Sequence, residues 1–319
     1  MRAGLDAFDE HRHLAPNASL KFRLSKRADK PGNYSIWDGL TLRLAGNETS
    51  TPVPIAADGT FVLPRSEEAF DDDAELIFNQ KKSSALFWVE TRTPGVPANA
   101  RRLGDLRLEC KVLIAMGKKE LNFAMRATYT TMLGTTDWCS AKRARVGSPL
   151  PDWAMSATFV HGSLREPMPP TSTMFNGPIQ DKAWPNDALL EFEYWGQASA
   201  QRKQQFLAQY PLQLKTSMNK WGAGVPFFTN DKSIYSAVMT LKPGTWKFNL
   251  ESQNREVNVG AASRDVLAAF GGDQPLVWHG RQLMFKIEQP GPYVFSLNMK
   301  DPDRSVVNVT RVEATAAVE

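Results

Sequence analysis

The sequence predicts a mainly β protein: tandem β modules with one short helical linker. Three observations carry this. Apolar and polar residues alternate with period two in many short segments, as in half-buried strands. Gly, Pro, Asn and Asp punctuate these segments, where tight turns need them. One stretch, residues 197–209, concentrates strong helix formers with no interior Gly or Pro.

Size and charge bound the rest. A chain of 319 residues with 42% apolar content is long enough for two or three domains with real cores. The net charge is +4, from 38 basic and 34 acidic residues that are dispersed along the chain. Arg101-Arg102 and Lys118-Lys119 are pairs, not runs, so no nucleic-acid partner is expected. No apolar run approaches the roughly 20 residues that cross a bilayer as a helix. The opening residues are too polar for a signal peptide. An extracytoplasmic location is expected, with a signal removed upstream of Met1; a cytoplasmic location is the other reading.

In chain order, residues 1–18 read as a polar, solvated N-terminal segment, with room for one helical turn or two in residues 1–16. His11 and His13 have no evident third ligand, so no metal is expected there. Residues 19–110 form a first β module. Leu20, Phe22 and Leu24 alternate with polar residues, as do Leu40, Leu42 and Leu44. Asp58-Gly59 is a turn before a strand at Phe61. The acidic cluster Glu67-Glu68 and Asp71-Asp72-Asp73 lacks the one-three-five spacing of a Ca²⁺ loop and reads as solvated. Residues 111–196 read as a β-rich middle region, with strands at 112–116 and 121–125 around a turn at Gly117, and further strands at 157–161 and 189–195. The linker 197–209 is expected to be helical, with Ser199 as its N-cap and an end before Pro211. Residues 210–314 form the last β module, and 315–319 a frayed tail. Cys110 and Cys139 can close one disulfide loop of about 30 residues, worth about 3–4 kcal/mol. Two buried thiols are the alternative.

The last module is the most informative. Leu212 and Leu214 begin a strand that breaks at Ser217-Met218-Asn219-Lys220-Trp221-Gly222. A strand over 235–241 follows, then the turn Lys242-Pro243-Gly244-Thr245 and a strand over 246–250. This is a meander with a large aromatic on a loop.

These residues resemble the starch- and glycogen-binding type of β-sandwich module found in pullulanases and branching enzymes. "SMNKWG" followed by "LKPGTWKFNL" is similar to the opening of such modules, and "QPGPYVFSL" to their closing hairpin. The likeness covers roughly residues 210–312. It implies an Ig-like sandwich whose first-turn Trp, here Trp221, stacks on a sugar ring. The second Trp of that family has no counterpart, because its place reads Ser252-Gln253-Asn254-Arg255. In the first module, "DGLTLRLAG" with "TPVPIAADGTFVLP" resembles carboxypeptidase-regulatory-like β-sandwiches, which implies a structural role for that part. Together the two resemblances imply that the tandem modules are Ig-like β-sandwiches.

No nucleophile elbow, zinc-protease, Walker or dinucleotide motif occurs, and the four His are scattered. The expectation is a non-catalytic binding protein without a cofactor. Its ligand would be an α-glucan or another glycan, held by Trp221, Asn219 and Lys220. The alternative is a structural, adhesive or assembly subunit of the cell envelope, whose partners are envelope proteins or further copies of itself.

Overall fold

A computed structural model describes residues 1–26, 37–81, 84–141, 147–171, 173–231, 233–264 and 267–312. The expected tail at 315–319 lies outside them. The chain is mainly β, with 39% strand and 24% helix. All pairings between its named strands are antiparallel. It divides into two compact units, Met1–Gly196 and Gln197–Glu319.

In the first unit, helix α1 (Arg2–Glu10) buries Ala7 and Phe8, so the N-terminal segment is packed rather than solvated. Strands Thr60–Phe61, Ser19–Lys26 and Ala85–Arg92 form one sheet, and Ser50–Pro52, Leu42–Ala45 and Glu75–Phe78 another. The short helix α2 (Glu67–Asp71) is capped by Ser66, whose hydroxyl accepts from the Ala69 amide. The acidic cluster therefore has structure. The Asp72 carboxylate accepts the amides of Asn47, Glu48 and Thr49 and the Thr49 hydroxyl. These bonds favour the ionised form and hold its pKa below the usual carboxylate value.

The middle of this unit departs from the expected strands. Residues 112–116 lie in helix α3 (Leu103–Glu120) and 123–125 in helix α4 (Phe123–Leu133), with Leu121 and Asn122 as the caps between them. Two periods compete in this sequence, and the helical one wins. Leu103, Leu106 and Cys110 recur at helical spacing and enter one apolar core with Phe159, Leu190 and Phe192. Leu108 and Val112 face a second core with Phe22, Leu44 and Phe61. A boundary between 110 and 111 would cut α3 in the middle, so the first module and the middle region share this helix. Gly104 leaves no room for a Cβ between the carbonyls of Leu14 and Asn186, which is what lets the first turn of α3 approach so closely. Cys110 and Cys139 are joined, with Cα atoms 6.0 Å apart. The four-stranded sheet Leu164–Met168, Ala154–His161, Leu189–Tyr194 and Ala100–Arg102 completes the unit with the pair Met174–Phe175 and Ser148–Pro149.

Charged groups lie inside this unit. One oxygen of Glu109 accepts from Arg101 at 2.8 Å, and the other accepts the Ser148 hydroxyl at 2.7 Å. Asp105 accepts the Thr93 amide and hydroxyl. Burial opposes the Arg101 charge most strongly, but the carboxylates of Glu109, Glu90 and Asp105 together outweigh it and hold the Arg101 pKa above its ordinary value.

The second unit opens with α5 (Ala200–Gln209). Ser199 caps it by accepting the Arg202 amide. The helix ends before Pro211 as expected, but it packs by burying Phe206 and Leu207, so it is part of the unit rather than a linker. Two sheets follow. Val225–Pro226, Leu212–Thr216, Gly244–Ser252, Asn258–Gly260 and Val277–Trp278 run side by side, with Leu283–Ile287 also paired to Gly244–Ser252. Phe228–Asp231, Ile234–Leu241, Gly291–Asn298, Val306–Arg311 and Gln274–Pro275 form the other sheet. Alternate residues of each point inward, and Phe248 of the first meets Phe295 of the second with ring centroids 5.2 Å apart. This is a β-sandwich closed by its aromatic core.

Candidate functional site

The site is built from the strand Leu212–Thr216 and the turn that ends it. Thr216 accepts the Met218 amide through its hydroxyl and the Trp221 amide through its carbonyl, at 3.1 and 3.0 Å. Ser217–Asn219 form a single 3₁₀ turn, and Lys220 leaves it at φ 56° and ψ 36°. Trp221 follows at φ 62°. Two successive non-glycine residues in the left-handed region are uncommon, and each costs about 1–3 kcal/mol. The Gly222 amide donates to the Asn219 carbonyl at 3.2 Å, and the Asn219 side-chain amide donates to Ala223 at 3.4 Å. The loop is thus fixed by its own backbone.

Its three predicted site residues fall together. Asn219 and Lys220 are exposed and Trp221 is half-buried, so the indole is not a core plug. The loop docks on the neighbouring strand: the Lys247 amide donates to the Ser217 hydroxyl at 3.0 Å. That strand, Gly244–Ser252, also carries the wall of a cleft of about 420 Å³. Lys247 and Asn249 project into it beside Arg264, Arg281, Gln282 and Met284. The loop and the cleft therefore flank one strand. Arg264 and Arg281 pair with no carboxylate among the described residues. On the same sheet Glu251 pairs with Lys215 at 3.0 Å and Arg255 at 3.3 Å, and it accepts from the Asn249 side-chain amide at 3.3 Å. Chemically, the site offers an indole edge or face, three side-chain amides and several cationic hydrogen-bond donors, and no carboxylate of the described residues lines the cleft.

The place of the missing second Trp is a turn. There the Ser252 hydroxyl accepts the Val257 amide at 3.1 Å, and no aromatic is supplied. Sequence reasoning found the loop but not the cleft. Lys247 and Asn249 were legible as the outward residues of an alternating strand. Arg264 and Arg281 come from separate loops that only the fold brings together. Cys110 and Cys139 lie in the other unit, where they tie α3 to the Trp138–Ser140 turn. Among the described residues no group of three metal-ligating side chains occurs, and His11 and His13 have rings 6.1 Å apart.

No family model matches the chain, and no curated protein matches it. Among solved structures, the ligand-induced structure of AmyP-SBD, a starch-binding domain, is similar at 16% sequence identity. The match covers 32% of this chain and 72% of that one, with a TM-score of 0.25. At that score the likeness carries no argument. No described helix is long and apolar enough to cross a membrane.

Proposed function

We propose that the unit Gln197–Glu319 is a non-catalytic glycan-binding module and that the protein works outside the cytoplasm. The observation that carries this is Trp221: a half-exposed indole, held at a strained backbone position on a self-bonded loop that docks on the strand carrying a cleft of amide and cationic donors. A flat ring gives the C–H face of a pyranose an apolar platform. Asn219, Asn249 and Gln282 have amide groups that donate to and accept from hydroxyls. Fixing such a ring in advance lowers the ordering cost of binding.

The test is calorimetry of the full chain against soluble α-glucans, with Trp221→Ala beside it. Saturable binding that the substitution weakens by roughly tenfold or more, about 1.4 kcal/mol, is expected, with the melting transition unchanged. Absence of binding to every α-glucan, or binding that Trp221→Ala leaves intact, would remove this reading.

A structural or assembly role is the second reading, and one feature favours it. On the outer face of the five-stranded sheet, Phe228 is 70% and Val238 is 55% exposed, with Ser236, Ser296 and Thr310 as uncharged neighbours. Exposed apolar residues on an uncharged face suit a protein partner. If glucans do not bind, a concentration-dependent mass in light scattering would support this role.

A further inference from the structure

A separate cavity of about 560 Å³ opens between α5 and the sandwich of the same unit. Its floor is apolar: Leu212, Phe227, Leu297 and Met299 are all buried yet line it. Its rim is made by α5. Gln201, Gln204 and Gln205 stand at i, i+3 and i+4, so they share one helix face. Their side-chain amides make no hydrogen bond among the described residues. Tyr235 adds a ring, and burial raises its phenol pKa, a sign of dry surroundings. Among the described residues, no charged side chain lines the cavity.

Each of these facts narrows the ligand. The volume falls in the range of roughly 300–1,000 Å³ typical of small-molecule sites. A charged ligand would lose its water here and find no counter-charge, which is costly. An apolar floor rewards an apolar body, and three open amides reward hydrogen-bonding groups at the mouth. The opposite face of α5 is anchored, with Phe206 buried and Lys203 bonded to both Asp303 oxygens at 2.8 and 2.7 Å. The glutamine face is thereby held over the cavity.

We propose that this cavity is a ligand site distinct from the Trp221 loop, shaped for an uncharged small molecule with an apolar body and a hydrogen-bonding edge. It does not depend on the glycan reading.

A matched pair of dyes tests it on the full chain. N-phenylnaphthylamine is uncharged, and anilinonaphthalene sulfonate has the same ring system with a sulfonate. The uncharged dye should bind saturably with enhanced fluorescence, and about tenfold tighter than the sulfonate. Ala208→Trp, at an exposed position of α5 that lines the cavity, should weaken the uncharged dye by about tenfold or more. Gln204→Phe, on the same exposed face, is a second blocking variant should Ala208→Trp fold poorly. Lys286→Trp, on an exposed strand position outside the cavity, should leave the affinity unchanged. Failure of the uncharged dye to saturate, equal affinity for the sulfonate, or blocking variants that fold and still bind as the parent does would each overturn the proposal.

Discussion

Helices α3 and α4 follow one another in the chain and invert the usual relation between polarity and burial. Helix α3 carries charge inward: Asp105 is 0% and Glu109 2% exposed. Helix α4 carries apolar residues outward: Phe123 is 80% and Met132 60% exposed, and none of its residues is buried. The difference lies in partners. Arg101, Thr91, Thr93 and Ser148 converge on the two α3 carboxylates and satisfy them. Helix α4 is held by its own caps, with Asn122 accepting the Met125 amide and Gly134 closing the C-terminus in the left-handed region. It lies outside both apolar cores. Burial follows from what surrounds a position, and side-chain polarity alone does not decide it.

The largest effect that could break this comparison is at Glu109. Glu109→Ala leaves the Arg101 guanidinium buried without its carboxylate, and the first unit should lose about 3–5 kcal/mol. Urea unfolding measures it, and a loss below about 1 kcal/mol would mean that the network is not held as described.

The next is His279 in the second unit, a mostly buried ionisable group of the opposite kind. Burial lowers its pKa from 6.5 to about 4. The folded form therefore resists the proton that the unfolded chain takes up below pH 6.5, so stability falls as pH drops from 6.5 towards 4. Over that window the loss is about 3 kcal/mol. His279→Asn, which tolerates the φ of 50° found there, should flatten this part of the melting temperature against pH. A slope unchanged by the substitution would assign the pH dependence to other groups.

The smallest effect is on α4. Phe123→Ser removes a large apolar side chain that packs on little, and should change stability by less than about 0.5 kcal/mol. A loss of core size, about 3 kcal/mol, would show that the ring is covered in solution.

The same inversion explains what could be read from the sequence. The sandwich of the second unit was legible, because Leu283–Ile287 and Gly291–Asn298 alternate inward and outward with few exceptions. Helix α5 was legible from Ser199 and Pro211. Helix α3 was not: Val112, Leu113, Ile114, Ala115 and Met116 form an unbroken apolar run that strand and helix share. Its buried Asp105 and Glu109 look like surface residues until their partners, brought from distant strands, are known. The Trp221 loop announced itself by its turn residues, whereas the amide rim of the α5 cavity was hidden in what read only as a good helix.

The Cys110–Cys139 bond spans all of α4 and the exposed end of α3. A protease that cuts this arm, for example after Arg126, would therefore divide the backbone without dividing the molecule. The two pieces would migrate together until a reductant is added, and the first unit would keep its nicked arm attached at both ends.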